Sequence, residues 1–213
     1  MKNQFTSTLV LALGLALAGP VVTAFANPVP ASPDAVQPLL IGSHLPPISL
    51  RAVDGTPVDL NASVAQKPTV LVFYRGGWCP FCNMQLGSLH DVQPQLDQLG
   101  YQLIAISPDR PEELAKSIAK HDLHYTLLSD SKMTACQAMG IAYQLDDATL
   151  AKYKAYGVDL DKASGESTHM LPVPSVFVLG TDGVIKFSYS NPNYKVRLAP
   201  DVLLAEAKAA LGP

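Results

Sequence analysis

Apolar positions along the chain fall into two rhythms. Short continuous or alternating runs suit strands, and longer stretches with apolar residues every third or fourth position suit helices. "PPISLRAVDGTPVDL" holds two short strand-like runs about Asp54-Gly55, a hairpin signal. Thr69 to Tyr74 is a continuous apolar, β-branched and aromatic run of the kind that fills a strand buried on both faces. The rhythm then changes. Cys82, Leu86, Leu89, Val92, Leu96 and Leu99 recur at helical spacing until Gly100, and Pro94 inside that span predicts a kink. "YQLIAISPD" reads as a strand, "RPEELAKSIAKH" as a helix opened by Pro111, "YTLLSD" as a strand and "KMTACQAMG" as a short helix. Residues 141–170 lack a clear period apart from a helical patch over Leu150 to Tyr156. "VFVLGTDGVIKFSYS" gives two strands joined at Asp182-Gly183, and "PDVLLAEAKAAL" closes the chain as an amphipathic helix. Strands alternating with helices predict one α/β domain, a central mixed sheet flanked by helices, with an N-terminal β-hairpin extension.

The first residues change the picture of where the domain begins. Lys2, an unbroken apolar core from Leu9 to Ala18 and Ala24-Phe25-Ala26 form the three parts of a secretory signal peptide over residues 1–26. Pro20 follows that core too closely for the run to reach the length of a stable membrane anchor. The expectation is therefore export, to a periplasmic or secreted location. The proline-rich stretch 27–37 then reads as an extended tether to a domain over 38–213. A formal charge of −3 with no basic stripe excludes a phosphate-backbone surface, so nucleic acid is not an expected partner.

The chemistry concentrates at "YRGGWCPFCNMQL". Three cysteines are too few for a disulfide scaffold, and two of them, Cys79 and Cys82, stand one helical turn apart. Cys79 is the last loop residue before the helix, with Pro80 at the first helical position, where a missing N–H costs nothing. Free backbone N–H groups at that helix end favour thiolate, which is the nucleophile, and Arg75 adds a cation. Cys82 is within disulfide reach of Cys79. A structural disulfide over so small a loop adds little stability, and a zinc site needs a second pair of ligands that the sequence lacks. The pattern points to a reversible dithiol. Cys136, among Met133, Ala135, Ala138 and Met139, reads as a small buried hydrophobe.

A strand, a W-C-x-x-C opening a helix and a later proline before a strand resemble the thioredoxin fold. In that fold the late proline is cis and packs against the cysteines, a part that falls to Pro174. "IGSHLPPISLRAVDGTPVDL", "VLVFYRGGWCPFC" and "NPNYKVRLAPDVLLAEAKAAL" extend the match to the AhpC/TSA peroxiredoxin-like family. The resemblance implies that Cys79 attacks and Cys82 resolves, with Arg75 and Trp78 shaping the site. It implies a hydroperoxide or protein-disulfide substrate, an external thiol reductant, and neither metal nor organic cofactor. Two departures stand out. The family's proline and hydroxyl residue ahead of the attacking cysteine are Val72 and Gly76 here, and its second arginine falls at Pro174 and Ser175, leaving Arg75 or Arg197 as substitutes. The buried acid typical of thioredoxin is replaced by Phe73. Tyr194, Lys195 and Arg197 otherwise read as a solvated edge. A second reading is a copper-binding thioredoxin-like chaperone, with His169-Met170 brought up to Cys79 and Cys82, since thiolate and thioether suit Cu(I).

Overall fold

The computed structural model describes residues 28–212, so the expected signal peptide over 1–26 lies outside the described residues. Strand β3 (Thr69–Phe73) is buried along its whole length, as its unbroken apolar run requires. It pairs in parallel with β4 (Gln102–Ser107) and antiparallel with β8 (Ser175–Leu179). β5 (Thr126–Ser129) continues the parallel ladder beyond β4. The two expected hairpins close the edges: β1 (Ser49–Arg51) with β2 (Pro57–Asp59), and β8 with β9 (Ile185–Ser190). The result is a seven-stranded mixed sheet in the order β2-β1-β5-β4-β3-β8-β9.

Side chains along β3 alternate between two cores, as the period of two dictates. Val70 and Val72 face a cluster that contains Leu86, Leu89 and Leu96 of α2 (Pro80–Gln98), Leu114 of α3 (Pro111–His121) and Leu203 of α7 (Pro200–Ala210). Leu71 and Phe73 face the opposite cluster, with Leu60 and Val64 of α1 (Leu60–Val64) and Ala135 and Cys136 of α4 (Thr134–Ala138). There Phe73 and Phe177 meet edge to face at 5.9 Å. Cys136 is fully buried, and burial pushes its thiol well up, in keeping with a packing role. α2 is one unbroken helix through Pro94. No helix among the described residues is long and apolar enough to cross a membrane.

Residues 141–170 are more ordered than their pattern suggests. They form β6 (Ala142–Gln144), α5 (Asp147–Ala155), α6 (Leu160–Ser164) and the start of β7 (Met170–Pro172), with β6 and β7 paired as a separate antiparallel ribbon. Three-residue strands are too short to show a period. Tyr143, Leu145, Leu171 and Val173 make a third small core, against which Trp78, Leu150, Tyr153 and Leu160 pack. The ribbon leads directly into Pro174, where the structure departs from expectation. The expected cis bond is absent, since no peptide among the described residues is cis. Val173 donates to the Ile141 carbonyl at 2.8 Å, and Ser175 is already in register with Phe73. The chain thus passes from one ladder to the next with no tight turn, and the ordinary trans form serves.

The proline-rich stretch over 28–37 is not the free extended tether expected: Pro33–Ala35 form a short 3-10 helix, and the stretch is seated on the domain. The Pro30 carbonyl accepts from Gln144 N–H (2.8 Å), Leu39 N–H donates to the Met139 carbonyl (3.1 Å), and Val29 packs on the lower core. Gly140 permits this seat: its φ is +70°, and a Cβ there would collide with the Gln37 carbonyl oxygen. Gly140→Ala is expected to lower stability by about 1–2 kcal/mol from the left-handed backbone alone and to loosen the strap over residues 28–40. Urea unfolding and limited proteolysis read both effects; unchanged cleavage within 28–40 would remove the role given to Gly140.

Candidate active site

The cysteine loop hangs from the carboxyl ends of two parallel strands. Where β3 ends, Tyr74 N–H still donates to the Ile106 carbonyl (3.0 Å). Gly77 N–H then donates to Asp109 Oδ2 (2.7 Å), beyond the end of β4, and Asn83 Nδ2 of α2 donates back to the Gly77 carbonyl (2.9 Å). Gly76 has φ +142°, and a Cβ on it would run into the Trp78 indole nitrogen and lie 2.8 Å from Asp109 Oδ1. Fastened in this way, the loop delivers Cys79 as the N-cap of α2, with Pro80 at the first helical position. The Cys79 carbonyl accepts from Cys82 and Asn83 N–H, each at 3.1 Å, which closes the first turn and stacks Cys82 over Cys79.

Both thiols are free and almost sealed, Cys79 being 1% exposed and Cys82 0%. Their titrations are split. A hydrogen bond from the Cys82 thiol, joined by the Cys82 backbone N–H and the charges of Arg75 and Arg197, outweighs burial and brings Cys79 down to about 6. Burial first, then the neighbouring Cys79, pushes Cys82 well up. The two directions favour thiolate at Cys79 and thiol at Cys82.

Two guanidiniums enclose the sulfurs. Arg75 is 1% exposed and lies in an aromatic cage, 4.1 Å from the Tyr194 ring centroid, 5.2 Å from Trp78 and 5.5 Å from Tyr153, and it donates from Nη2 to the Tyr153 hydroxyl. Arg197, from the segment between β9 and α7, donates from Nη2 to Cys82 Sγ at 3.3 Å. Among the described residues neither arginine has a carboxylate within ion-pair distance. Arg75 Nε and Arg197 Nε and Nη1 are buried without a hydrogen-bond partner. Asp109 is also buried, which raises its carboxyl to about 6 against the pull of Gly77 N–H.

Cys79, Cys82, Arg75 and Trp78 thus come together as the sequence predicts. Pro174 is buried at the end of the sheet from which the cysteine loop departs, one residue beyond the Phe73–Ser175 pair. His169 lines a small cavity with Arg75 and Trp78, but its imidazole is engaged with Asp161 and not with a sulfur. Its Nε2 pairs with Asp161 Oδ1 at 3.0 Å, and no group of three or more His, Cys, Asp or Glu among the described residues is arranged to hold a metal. The guanidiniums around the sulfurs also oppose a cation, so the copper reading finds no support. Tyr153 and Asp109 escaped the sequence, which offered Arg197 only as a substitute for the family's second arginine and not as a partner of Cys82. Arg197 is 115 residues from Cys82, and Tyr153 is 78 from Arg75, so no local spacing links them. Asp109 carried a weak signal, as the acid following a strand that points at the motif.

The AhpC/TSA family model matches residues 41–188. Peroxiredoxin Bcp of Escherichia coli K12 is 33% identical over 106 residues, covering 50% of this chain and 67% of that protein. The chloroplastic peroxiredoxin Q of Gentiana triflora is 27% identical over 150 residues, covering 70% of this chain and 58% of that one. Among solved structures, peroxidoxin BcpB from Mycobacterium tuberculosis superposes with a TM-score of 0.61 at 21% identity, over 79% of this chain and 96% of that one. Peroxiredoxin Q of Xanthomonas campestris gives 0.58 at 22% identity, over 76% and 90%. These structures establish a shared thioredoxin-type fold, and the match over 41–188 carries the assignment further: the chain belongs to the AhpC/TSA family.

Proposed function

We propose that the chain is a thiol peroxidase that reduces hydroperoxides at Cys79, with Cys82 as the resolving thiol and an external thiol as reductant. The observation that carries this reading is the state of Cys79: a sulfur brought to about 6 beside two guanidiniums while only 1% exposed. A thiolate so deeply covered is within reach of a small peroxide, whereas a disulfide on a folded protein needs an open line of approach to the attacked sulfur. The relatives named peroxiredoxin support the same chemistry.

In the first step the Cys79 thiolate attacks one peroxide oxygen. An S–O bond forms, the O–O bond breaks, and the departing alkoxide or hydroxide takes the proton held by Cys82. The Cys82 thiolate then attacks Cys79 sulfur; an S–S bond forms and hydroxide leaves, to be protonated by solvent. Two electrons pass from the sulfur pair to the peroxide. The family's orienting hydroxyl has no place here, because the space beside Gly76 is filled by the Trp78 indole and Asp109. Arg75, locked by Tyr153 and Tyr194, supplies the positive charge that receives the developing oxyanion.

Cys79→Ser should abolish peroxide consumption, because the nucleophile is lost. In the unaltered protein the rate of Cys79 oxidation should fall as pH drops through about 6 and level off above it, since only the thiolate attacks and protonation removes it roughly tenfold per pH unit below that point. A rate that is flat from pH 5 to 8 would remove the depressed Cys79 from the mechanism. Gly76→Thr, which restores the family's hydroxyl, is expected to slow peroxide reduction rather than speed it, by displacing Trp78. Faster turnover in this variant would show the hydroxyl to be a missing part and not one that the loop has outgrown.

A further inference from the structure

The second half of the reaction meets an obstacle in the geometry. Cys82 is sealed at 0% exposure and must become an anion before it can attack. We infer that Arg197 is the catalytic residue of this resolving step: its guanidinium holds the Cys82 thiolate after the proton has left, and so sets the rate of disulfide closure. This rests on the thiol-peroxidase reading above.

Several observations converge on the assignment. Arg197 Nη2 donates to Cys82 Sγ at 3.3 Å, the one side-chain nitrogen bonded to either sulfur among the described residues. Arg197 Nε and Nη1 are buried yet unpartnered, so the guanidinium is not committed elsewhere and has N–H groups left for the hydroxide expelled from Cys79. No carboxylate among the described residues neutralises it. Arg75, by contrast, is bound to the Tyr153 hydroxyl and held over Tyr194, and its charge acts on Cys79 ahead of that of Arg197. Burial and the neighbouring Cys79 raise the Cys82 thiol, and the charge of Arg197 is the foremost influence that lowers it.

The division of labour makes the two steps separable. Arg75 serves the attacking sulfur, and Arg197 the resolving one. When the alkoxide takes the Cys82 proton, a buried anion remains, and Arg197 is the adjacent cation that allows it to persist long enough to attack the Cys79 sulfenic acid. Without it, Cys82 reverts to thiol, the sulfenic acid lives longer, and a second peroxide oxidises Cys79 to sulfinic acid.

Stopped-flow mixing of the reduced protein with hydrogen peroxide, read by Trp78 fluorescence, separates the steps. Cys79 oxidation depends on peroxide concentration, and disulfide closure does not. In Arg197→Gln the closure phase should slow at least about tenfold, the consequence of moving the thiolate equilibrium by one pH unit, while the oxidation phase slows less. Its pH midpoint should move upward, dimedone should capture more sulfenic acid, and intact mass should show sulfinic acid at excess peroxide. Arg197→Lys should restore part of the closure rate, which loss of packing alone would not predict. Equal slowing of both phases, or an unchanged closure phase, would overturn the assignment. If the unaltered protein shows no peroxide-dependent phase, the peroxidase reading fails separately. The thiolate absorbance of Cys82 in Cys79→Ser then decides the matter for Arg197: a midpoint that does not rise on adding Arg197→Gln sinks it.

Discussion

One proton shared by two buried sulfurs is the constraint on which the rest of this site depends. Cys79 is acidic because Cys82 donates to it, and Cys82 is reluctant to ionise because it is sealed and already faces an anion. Such a pair is stable only if the negative charge is met from outside. The N-terminus of α2 supplies part of that field. The two guanidiniums supply the remainder, and burying them has a cost of its own. For Arg75 the cost is offset by three aromatic faces and the Tyr153 hydroxyl, none of which carries a charge that would cancel it. A carboxylate partner would have made Arg75 easier to bury and useless to the sulfurs.

The sheet explains why these groups converge. β3 and β4 are parallel neighbours, so their carboxyl ends open on the same edge, the usual place for a site in an α/β sheet. The loop after β3 carries the cysteines, and Asp109 after β4 holds that loop through Gly77 N–H. β8 runs the other way and brings Pro174 to the same edge at its beginning. The ribbon of β6 and β7, with α5, roofs the site with Tyr143 and Tyr153, while the segment before α7 brings Tyr194 and Arg197 from the far side. Each contributor arrives from a different part of the chain, yet all are fixed relative to one pair of adjacent strands.

That layout also divides what the residues disclose on their own. β3, α2, both hairpins and the Cys79–Cys82 pair were legible because each is a local pattern: an apolar run, a 3.6-residue period, a turn dipeptide, a C-x-x-C after a strand. The β6–β7 ribbon was not, since three-residue strands with Pro172 among them carry neither period nor propensity enough to register. The roof, and the pairing of the candidate Arg197 with Cys82, escaped for a deeper reason. Tyr153 and Arg197 act through contacts spanning 78 and 115 residues, and their own surroundings in the sequence are those of exposed, polar segments. The tether was little legible: its composition gave neither the 3-10 helix over Pro33–Ala35 nor its seat on α4 and β6.

Gly76 and Trp78 show how a family position changes hands without loss of the site. The glycine looks like a deletion of a catalytic hydroxyl when considered alone. With the indole and Asp109 in place it is the residue that lets Trp78 turn inward, because any side chain would occupy the same space. Trp78 in turn packs beside Tyr153 at 5.6 Å, and that contact helps to hold Arg75 over the sulfurs. A hydroxyl that orients substrate has thus been exchanged for an aromatic wall that orients a cation. The exchange is consistent only if electrostatics, rather than a directed hydrogen bond from the loop, does most of the stabilising in the first step. Two arginines without carboxylates, one toward each sulfur, are what such a site would require.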